Sequence, residues 1–325
     1  MGGTTGRLAV LTPLERTERT IEEARRAGVY DDERSVVRAD ADHTEVPVTA
    51  PLEGHTVVVQ EEPVRRRTGL ADTVDVQDPP SSWRVLGDVI LLDLADYEPD
   101  ERRAIGEALL ELHGAATVLD DRGVAGMRRR PDVRHVCGDR DTETVHRENG
   151  YRFRLDPLEV MYSVGNARER RRVEELVEPD ERVLDMFAGI GYFAVPAAVG
   201  GAHVTAAEID ATAHGYLTDN AALNDVADRL EARHADCRDV DGRYDRVLMG
   251  HFDAPWFLDH AVQRLEAGGT IHLHAAVPRD GRVGVESATR RTLAALGADV
   301  ASVDARTVKS LGPRALHVVL DCRLG

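Results

Sequence analysis

Beyond Arg182 the chain alternates short apolar runs with amphipathic stretches, and this alternation leaves few folds open. "RVLDMFAG" reads as a buried strand running into a glycine-bearing turn, and "IGYFAVPAAV" as the start of a helix. The strands "AHVTAAEID", "LEARHADC", "YDRVLMG" and "TIHLHAAV" then alternate with the helices "ATAHGYLTDNAALN", "WFLDHAVQRLEAGG" and "GVESATRRTLAALG". Two more strands are expected near 298–308 and 314–322. Alternating strands and helices make a parallel sheet with crossover helices. Ligands of such sheets bind beyond the C-terminal strand ends, at the topological switch point.

The N-terminal half is less regular. In "TPLERTERTIEEARRAG" (12–28), Thr12 is the expected N-cap, Pro13 opens the helix and Gly28 stops it. Short strands and loops are expected over 29–84, a strand over 85–94 and a helix over 100–114, followed by a strand at "AATVLDD". The pattern predicts a small α+β domain over 1–155, a linker over 156–180 that contributes to the cofactor site, and an α/β catalytic domain over 181–325.

The stretch "LDMFAGIGYFAVPAA" says most about chemistry. A buried strand ends at Asp185. Phe187 follows, then Gly189 and Gly191, which permit a tight turn and close backbone approach to a ligand. The next two strands end in Glu208-Ile209 and Asp236-Cys237. A carboxylate at Glu208 can accept both ribose hydroxyls of an adenosine, with Asp236 and Cys237 beside the adenine. The dinucleotide fingerprint G-x-G-x-x-G is absent, and a pyrophosphate would sit poorly beside Asp185. A cofactor carrying an ammonium group fits better, and S-adenosylmethionine has one.

Composition narrows the setting. The 325 residues include 58 acidic and 41 basic ones, a formal net charge of −17, and Lys309 is the only lysine. Such a surface suits a protein that stays hydrated in a salty cytoplasm; net charge speaks to solubility rather than to fold. The three cysteines, Cys137, Cys237 and Cys322, are far apart and suggest a reducing compartment. No apolar run approaches the roughly 20 residues of a membrane span, and no secretion signal is expected.

"MFAGIGYFAVPAA", "AAEID", "TVHRENGYRFRLDPLEVMYSVGNARERRRV" (144–173) and "VKSLGPRALHVVLDCRL" (308–324) resemble the archaeal and eukaryotic enzymes that modify the purine 3′ of the tRNA anticodon. The resemblance covers most of the chain from about residue 85 onward. It implies a class I methyltransferase-like, Rossmann-like seven-stranded sheet, with the smaller α+β domain in front. One branch methylates guanine N1 and typically carries an Asn-Leu-Pro motif after the fourth strand. The other, the wybutosine-pathway aminocarboxypropyltransferases, moves the 3-amino-3-carboxypropyl arm of S-adenosylmethionine onto C7 of 4-demethylwyosine in tRNA(Phe). "MYSVGNARER", "RVLMG" and "IHLHAAVP" are similar to the second branch. The chain is also expected to lack room for the extra N-terminal domain of many methylating enzymes.

The resemblance implies that Ser163 and Arg170 contact the cofactor; the Arg170 guanidinium would hold the methionine carboxylate in bidentate fashion. Met249 is expected at the cofactor. Gly250 is read as leaving space for a large tricyclic base where the methylating branch places a clamp. His251 and "FDAPWF" depart from the transferase pattern. His251, Asp253 and His274 are the candidates for a catalytic role, and Trp256 and Phe257 for base stacking. His272 and His274 alternate along one strand and therefore share a face. Arginine clusters at 65–67, 127–131 and 168–172 are candidates for cradling an anticodon stem-loop. The expected protein is a cytoplasmic monomer. A guanine-N1 methyltransferase and a non-catalytic cofactor- and tRNA-binding protein are the alternatives.

Overall fold

The computed structural model describes residues 7–60, 69–126 and 129–325. The chain divides into two compact units, Met1–Asp75 and Val76–Gly325.

In the first unit β1 (Leu8–Pro13), β2 (Val37–Arg38), β3 (His43–Pro47) and β4 (Thr56–Val59) form an antiparallel sheet in the order β2-β3-β1-β4. Helix α1 (Thr17–Arg26) covers it, and Val10, Ala24, Val46 and Val48 make the core. Thr12 does not cap α1. It lies in β1, opposite Thr44, and its hydroxyl meets that of Thr20 at 3.0 Å. Alternation of buried Val10 and Thr12 along a paired strand outweighs the local capping preference, and α1 begins after a single 3-10 turn. Gly28 stops the helix as expected, at φ +67°. Arg34 is buried here and donates to Asp31, Gln60 and the carbonyls of Leu8 and Val48.

The second unit opens with β5 (Arg84–Leu86), β6 (Val89–Leu92), α2 (Pro99–His113), β7 (Thr117–Ala125) and β8 (Arg130–Gly138), whose strands form one sheet in chain order. The single strand expected over 85–94 is a hairpin. It turns at Gly87 (φ +57°), where a Cβ would run into the Thr144 hydroxyl. A further hairpin, β9 (Thr144–Glu148) and β10 (Tyr151–Leu155), leads to α3 (Ala167–Leu176).

The remaining elements are β11 (Arg182–Asp185), α4 (Ala194–Val199), β12 (His203–Glu208), α5 (Ala211–Leu223), β13 (Leu230–His234), β14 (Tyr244–Met249), α6 (Leu258–Arg264), β15 (Leu265–Pro278), α7 (Val285–Ala295), β16 (Val300–Ser310) and β17 (Ala315–Leu324). Their sheet has the order β13-β12-β11-β14-β15-β17-β16. The first five strands are parallel and the last two antiparallel to their neighbours. The order reverses between β11 and β14, so the switch point lies past Asp185 and Met249.

The compact units do not divide near residue 155, because β10 is bonded to α5. Buried Asn220 accepts from Arg154 N–H (2.7 Å) and donates to the carbonyls of Arg154 (3.1 Å) and Ile190 (2.9 Å). Asn224 brackets Arg152 in the same way. Asn220→Ala strands three backbone groups at once. At about 1–3 kcal/mol for each buried group left unpaired, we expect a loss of about 3 kcal/mol, read as a lower urea midpoint at constant salt.

Candidate active site

A cavity of about 550 Å³ opens past the C-terminal ends of β11, β12, β13 and β14. It is lined by most of the residues that the sequence pattern singles out: Ser163, Arg170, Phe187, Gly189, Glu208, Ile209, Asp236, Cys237, Gly250, His251, Asp253 and Phe257.

One end carries the acids. Glu208 Oε2 accepts from Gly189 N–H (2.8 Å) and Oε1 from Asp210 N–H (2.7 Å). Each oxygen keeps a second lone pair for a ligand hydroxyl. Burial raises its pKa. Asp236 is clasped by Arg238, which holds its pKa down to about 2. Burial pushes the Cys237 thiol up to about 12, so it is no nucleophile. Phe187 packs edge-on against Phe257, at 5.3 Å, and beside His251. Asp185 sits fully buried behind the turn. Its Oδ1 accepts from Phe187 N–H, and its Oδ2 has no partner among the described residues. Burial raises its pKa to about 7, with the Glu208 charge adding to the effect.

Both glycines admit close packing. Gly189 (φ +56°) presents its N–H to Glu208 and leaves room for the Tyr192 ring, and at Gly191 (φ +99°) a Cβ would meet Val195 at 2.8 Å. Gly191 does not line the cavity.

The other end holds Ser163, Asn166, Lys309, Arg129, Phe252 and His317. The Lys309 ammonium donates to Ser163 Oγ at 2.7 Å. Gly165 leaves room for it, since a Cβ would lie 3.1 Å from Nζ. Burial lowers the Lys309 pKa, and the Arg170, Arg129 and Arg84 charges add to this. Asn166 Oδ1 and His317 Nδ1 are buried without partners among the described residues. Arg129 stacks its guanidinium over Phe252, 5.3 Å from the ring centre.

Four expectations change. Arg170 is not a free carboxylate clamp: its guanidinium is 1% exposed, forms a bidentate pair with Glu148, and donates to the Ser163 carbonyl at 2.9 Å. Met249 is fully buried among Leu184, Val247 and Ile271 and does not line the cavity, because β14 turns its side chain into the core. The space beside Gly250 is already taken: a Cβ would lie 2.7 Å from the Phe193 ring. His274 also misses the cavity. It is buried behind His317, with its Nδ1 3.0 Å from His317 Nε2, and His272 is held between Asp321 and Arg246.

Sequence reasoning missed Lys309 and His317 as site residues, and read Arg129 only as part of an RNA-contacting cluster. The lone lysine was a usable signal; a single histidine in an apolar strand was not. Of the arginine clusters, 65–67 lies outside the described residues. Arg129 and Arg130 line the cavity, while Arg170 and Arg172 are spent on Glu148, Asp321 and Glu169. Trp256 is 84% exposed.

An aminocarboxypropyltransferase of Pyrococcus horikoshii that acts on tRNA(Phe) 4-demethylwyosine(37)-C(7) is 39% identical over 75% of this chain and 90% of its own. Residues 144–299 match the TRM5/TYW2 methyltransferase domain and residues 70–142 the TYW2 N-terminal domain. The chain belongs to the TRM5/TYW2 family. It is accordingly an S-adenosylmethionine-dependent transferase with the class I methyltransferase-like fold. The P. horikoshii TYW2 solved in complex with MeSAdo superposes with a TM-score of 0.68, at 36% identity over 75% of this chain and 91% of that one. The tRNA (guanine(37)-N(1))-methyltransferase Trm5b of Pyrococcus abyssi is 30% identical over 98% of this chain and 99% of its own, and its crystal structure gives a TM-score of 0.74. Chain length therefore does not exclude a methylating enzyme. This TRM5/TYW2 chain is as long as Trm5b, and the quarter left unmatched by the P. horikoshii transferase is about the size of the first compact unit.

Gly250→Ala tests the packing reading. Overpacking costs about 1–3 kcal/mol, so its unfolding midpoint should fall. In a Phe193→Leu background the same change should cost less, and a double-mutant cycle measures the coupling. Equal costs in both backgrounds would return Gly250 to the ligand.

Proposed function

We propose that the protein transfers the 3-amino-3-carboxypropyl group of S-adenosylmethionine to C7 of 4-demethylwyosine at position 37 of tRNA(Phe), releasing methylthioadenosine. The observation that carries this is the composition of the cavity end away from Asp236: a lysine ammonium on a serine hydroxyl, with the bare Asn166 carbonyl oxygen beside them. Lys309 and Ser163 suit an α-carboxylate, and Asn166 Oδ1 suits an α-ammonium. An amino-acid arm held there lies in the body of the cavity, beside Phe252 and His317. The sulfonium has three electrophilic carbons, and the one presented to the nucleophile is the one transferred; selection is a matter of position. The match to the TYW2 N-terminal domain and the identity to the P. horikoshii transferase support the same reading.

At the acid end Glu208 would take the ribose hydroxyls, Asp236 and Ile209 would flank the adenine, and Asp185 would lie beneath the cationic cofactor. Arg170 orients Ser163 rather than touching the cofactor. Arg129, Arg130 and exposed Trp256 are the contacts we assign to an anticodon stem-loop, with residues 1–155 adding to the tRNA surface. Arginine forks suit phosphates and Trp256 suits an unstacked base. We propose further that the enzyme works as a monomer in a salty cytoplasm, a setting that its acidic composition suits.

A second reading, guanine-37 N1-methylation, is favoured by one observation: the full-length match to Trm5b, first unit included. The by-product separates the two. Chromatography of a reaction with tRNA carrying the tricyclic base should show methylthioadenosine in step with tRNA modified by the arm, and a parallel reaction with unmodified guanine at position 37 should show no S-adenosylhomocysteine. Stoichiometric S-adenosylhomocysteine from the guanine-37 tRNA, with no methylthioadenosine from the other, would establish the methyl transferase instead.

The arm contacts have their own test. Lys309→Ala removes a charged hydrogen-bond donor, which costs about 1.5–3 kcal/mol. S-adenosylmethionine should bind roughly ten- to a hundredfold more weakly by calorimetry, while methylthioadenosine, which lacks the carboxylate, binds as before. Equal losses for both ligands would move Lys309 off the arm.

A further inference from the structure

His317 faces the cavity at the end we assign to the arm and the target base. It stands on β17, opposite Ala276 of β15, and is 1% exposed. Three contacts define its setting. Its Nε2 lies 3.0 Å from His274 Nδ1. Its ring meets Phe252 edge-on, 5.0 Å between centres at 81°. On the same Phe252 ring rests the Arg129 guanidinium. Its Nδ1 is buried and has no hydrogen-bond partner among the described residues. A buried polar atom without a partner is costly, so an imidazole held this way calls for a ligand. Burial depresses its pKa to about 4, and the positive Lys309, Arg306 and Arg129 around it act in the same direction. The imidazole is neutral near pH 7.

The proposed reaction needs such a group. When C7 attacks the arm, the C7–Cγ bond forms and the Cγ–S pair leaves on the sulfur of methylthioadenosine. C7 then carries both the arm and its original hydrogen, and the ring bears the positive charge. Aromaticity returns only when the C7 proton leaves. Among the other groups lining the cavity, Glu208 and Asp236 stand at the acid end, His251 Nδ1 accepts from the Asp253 N–H, the Asp253 side chain is 47% exposed, and Lys309 donates to Ser163.

We propose that His317 takes the C7 proton at Nδ1, with His274 positioning its ring. In the required tautomer His317 Nε2–H donates to His274 Nδ1, leaving the Nδ1 lone pair toward the cavity. The imidazolium that forms keeps that bond. A weak base suffices, because the ring cation is a far stronger acid than an imidazolium. This assignment rests on the arm-transfer reading, and the experiment separates the two.

The test compares tRNA carrying the tricyclic base with hydrogen or deuterium at C7, and follows methylthioadenosine release by the full-length protein over many turnovers, where a slow proton step holds back every cycle. His317→Gln keeps a polar atom near the Nε2 position and so the bond to His274, but removes Nδ1. We expect release about a hundredfold slower, the low end of general-base effects. We also expect a primary isotope effect at C7 larger than the wild type's, and unchanged affinity for S-adenosylmethionine. The isotope effect is a ratio within one preparation, so partial misfolding does not alter it. His317→Asn, which keeps a polar atom near Nδ1 and drops the His274 bond, provides a second variant with the same expectation. A variant at the wild-type rate, or one slowed with the wild-type isotope effect, makes His317 a packing residue and leaves the arm-transfer reading standing. If the wild-type protein releases no methylthioadenosine with this tRNA, both readings fall together.

Discussion

The buried pair between Arg170 of α3 and Glu148 of β9 underlies the arm end of the cavity. Taking two charges out of water is expensive, and only good geometry with further hydrogen bonds offsets it. Here the guanidinium engages both carboxylate oxygens, donates to the Ser163 carbonyl and lies 4.7 Å from the centre of the Tyr162 ring. Burial works to raise the Glu148 pKa, but hydrogen bonds from His146 and Arg170 outweigh it and hold it at about 2. Losing either partner would leave a buried charge uncompensated, at about 3–5 kcal/mol. Ser163, and through it the Lys309 ammonium, take their places from this pair. The hairpin that supplies Glu148 is in turn fastened to α5 by Asn220 and Asn224. A chain of polar contacts thus runs from a helix of the cofactor sheet to the mouth of the site.

What could be read in the sequence follows from how each element is buried. Parallel strands covered on both faces are near-continuous apolar runs, so β11, β12, β14 and β15 stood out, as did the acids at their ends. The hairpin β9–β10 carries alternating charge ("TVHRE", "YRFRL") and looks like loop unless its partner is known. At β1 a good local capping signal lost to strand pairing. Glu208 and Asp236 could be placed at the cavity because a strand end fixes a side chain's neighbourhood; Asp185, at the end of β11, is buried behind the turn and does not line it. Arg170 could not, because its partner Glu148 lies on a separate element and nothing local reveals the pairing.

The Met249-Gly250 pair shows the same limit from the other side. A strand end beside a cofactor suggests that both residues serve the ligand. The side chain of Met249 points into the core instead, and the missing side chain of Gly250 admits Phe193. Phe193 in turn packs on His274, at 5.0 Å, and His274 bonds His317. The glycine therefore acts on the cavity indirectly, by letting an aromatic ring brace the histidine pair from behind.

Lys309 is the one place where this arginine-rich chain keeps an ammonium. A guanidinium is planar and presents its donors as a fork, whereas an ammonium is compact and can be aimed at a single point. The slot beside Gly165 suits the smaller head: its Nζ already lies where a Cβ at 165 would be 3.1 Å away. Arg129 lies near enough to help depress its pKa, and Arg170 does so despite its pairing with Glu148. The cations gathered around Lys309 repel one another, which an anionic group placed among them would relieve. A carboxylate drawn to that point carries its own carbon chain with it, so in the proposed reaction the same charges would both bind the arm and set which carbon of the sulfonium lies in the body of the cavity.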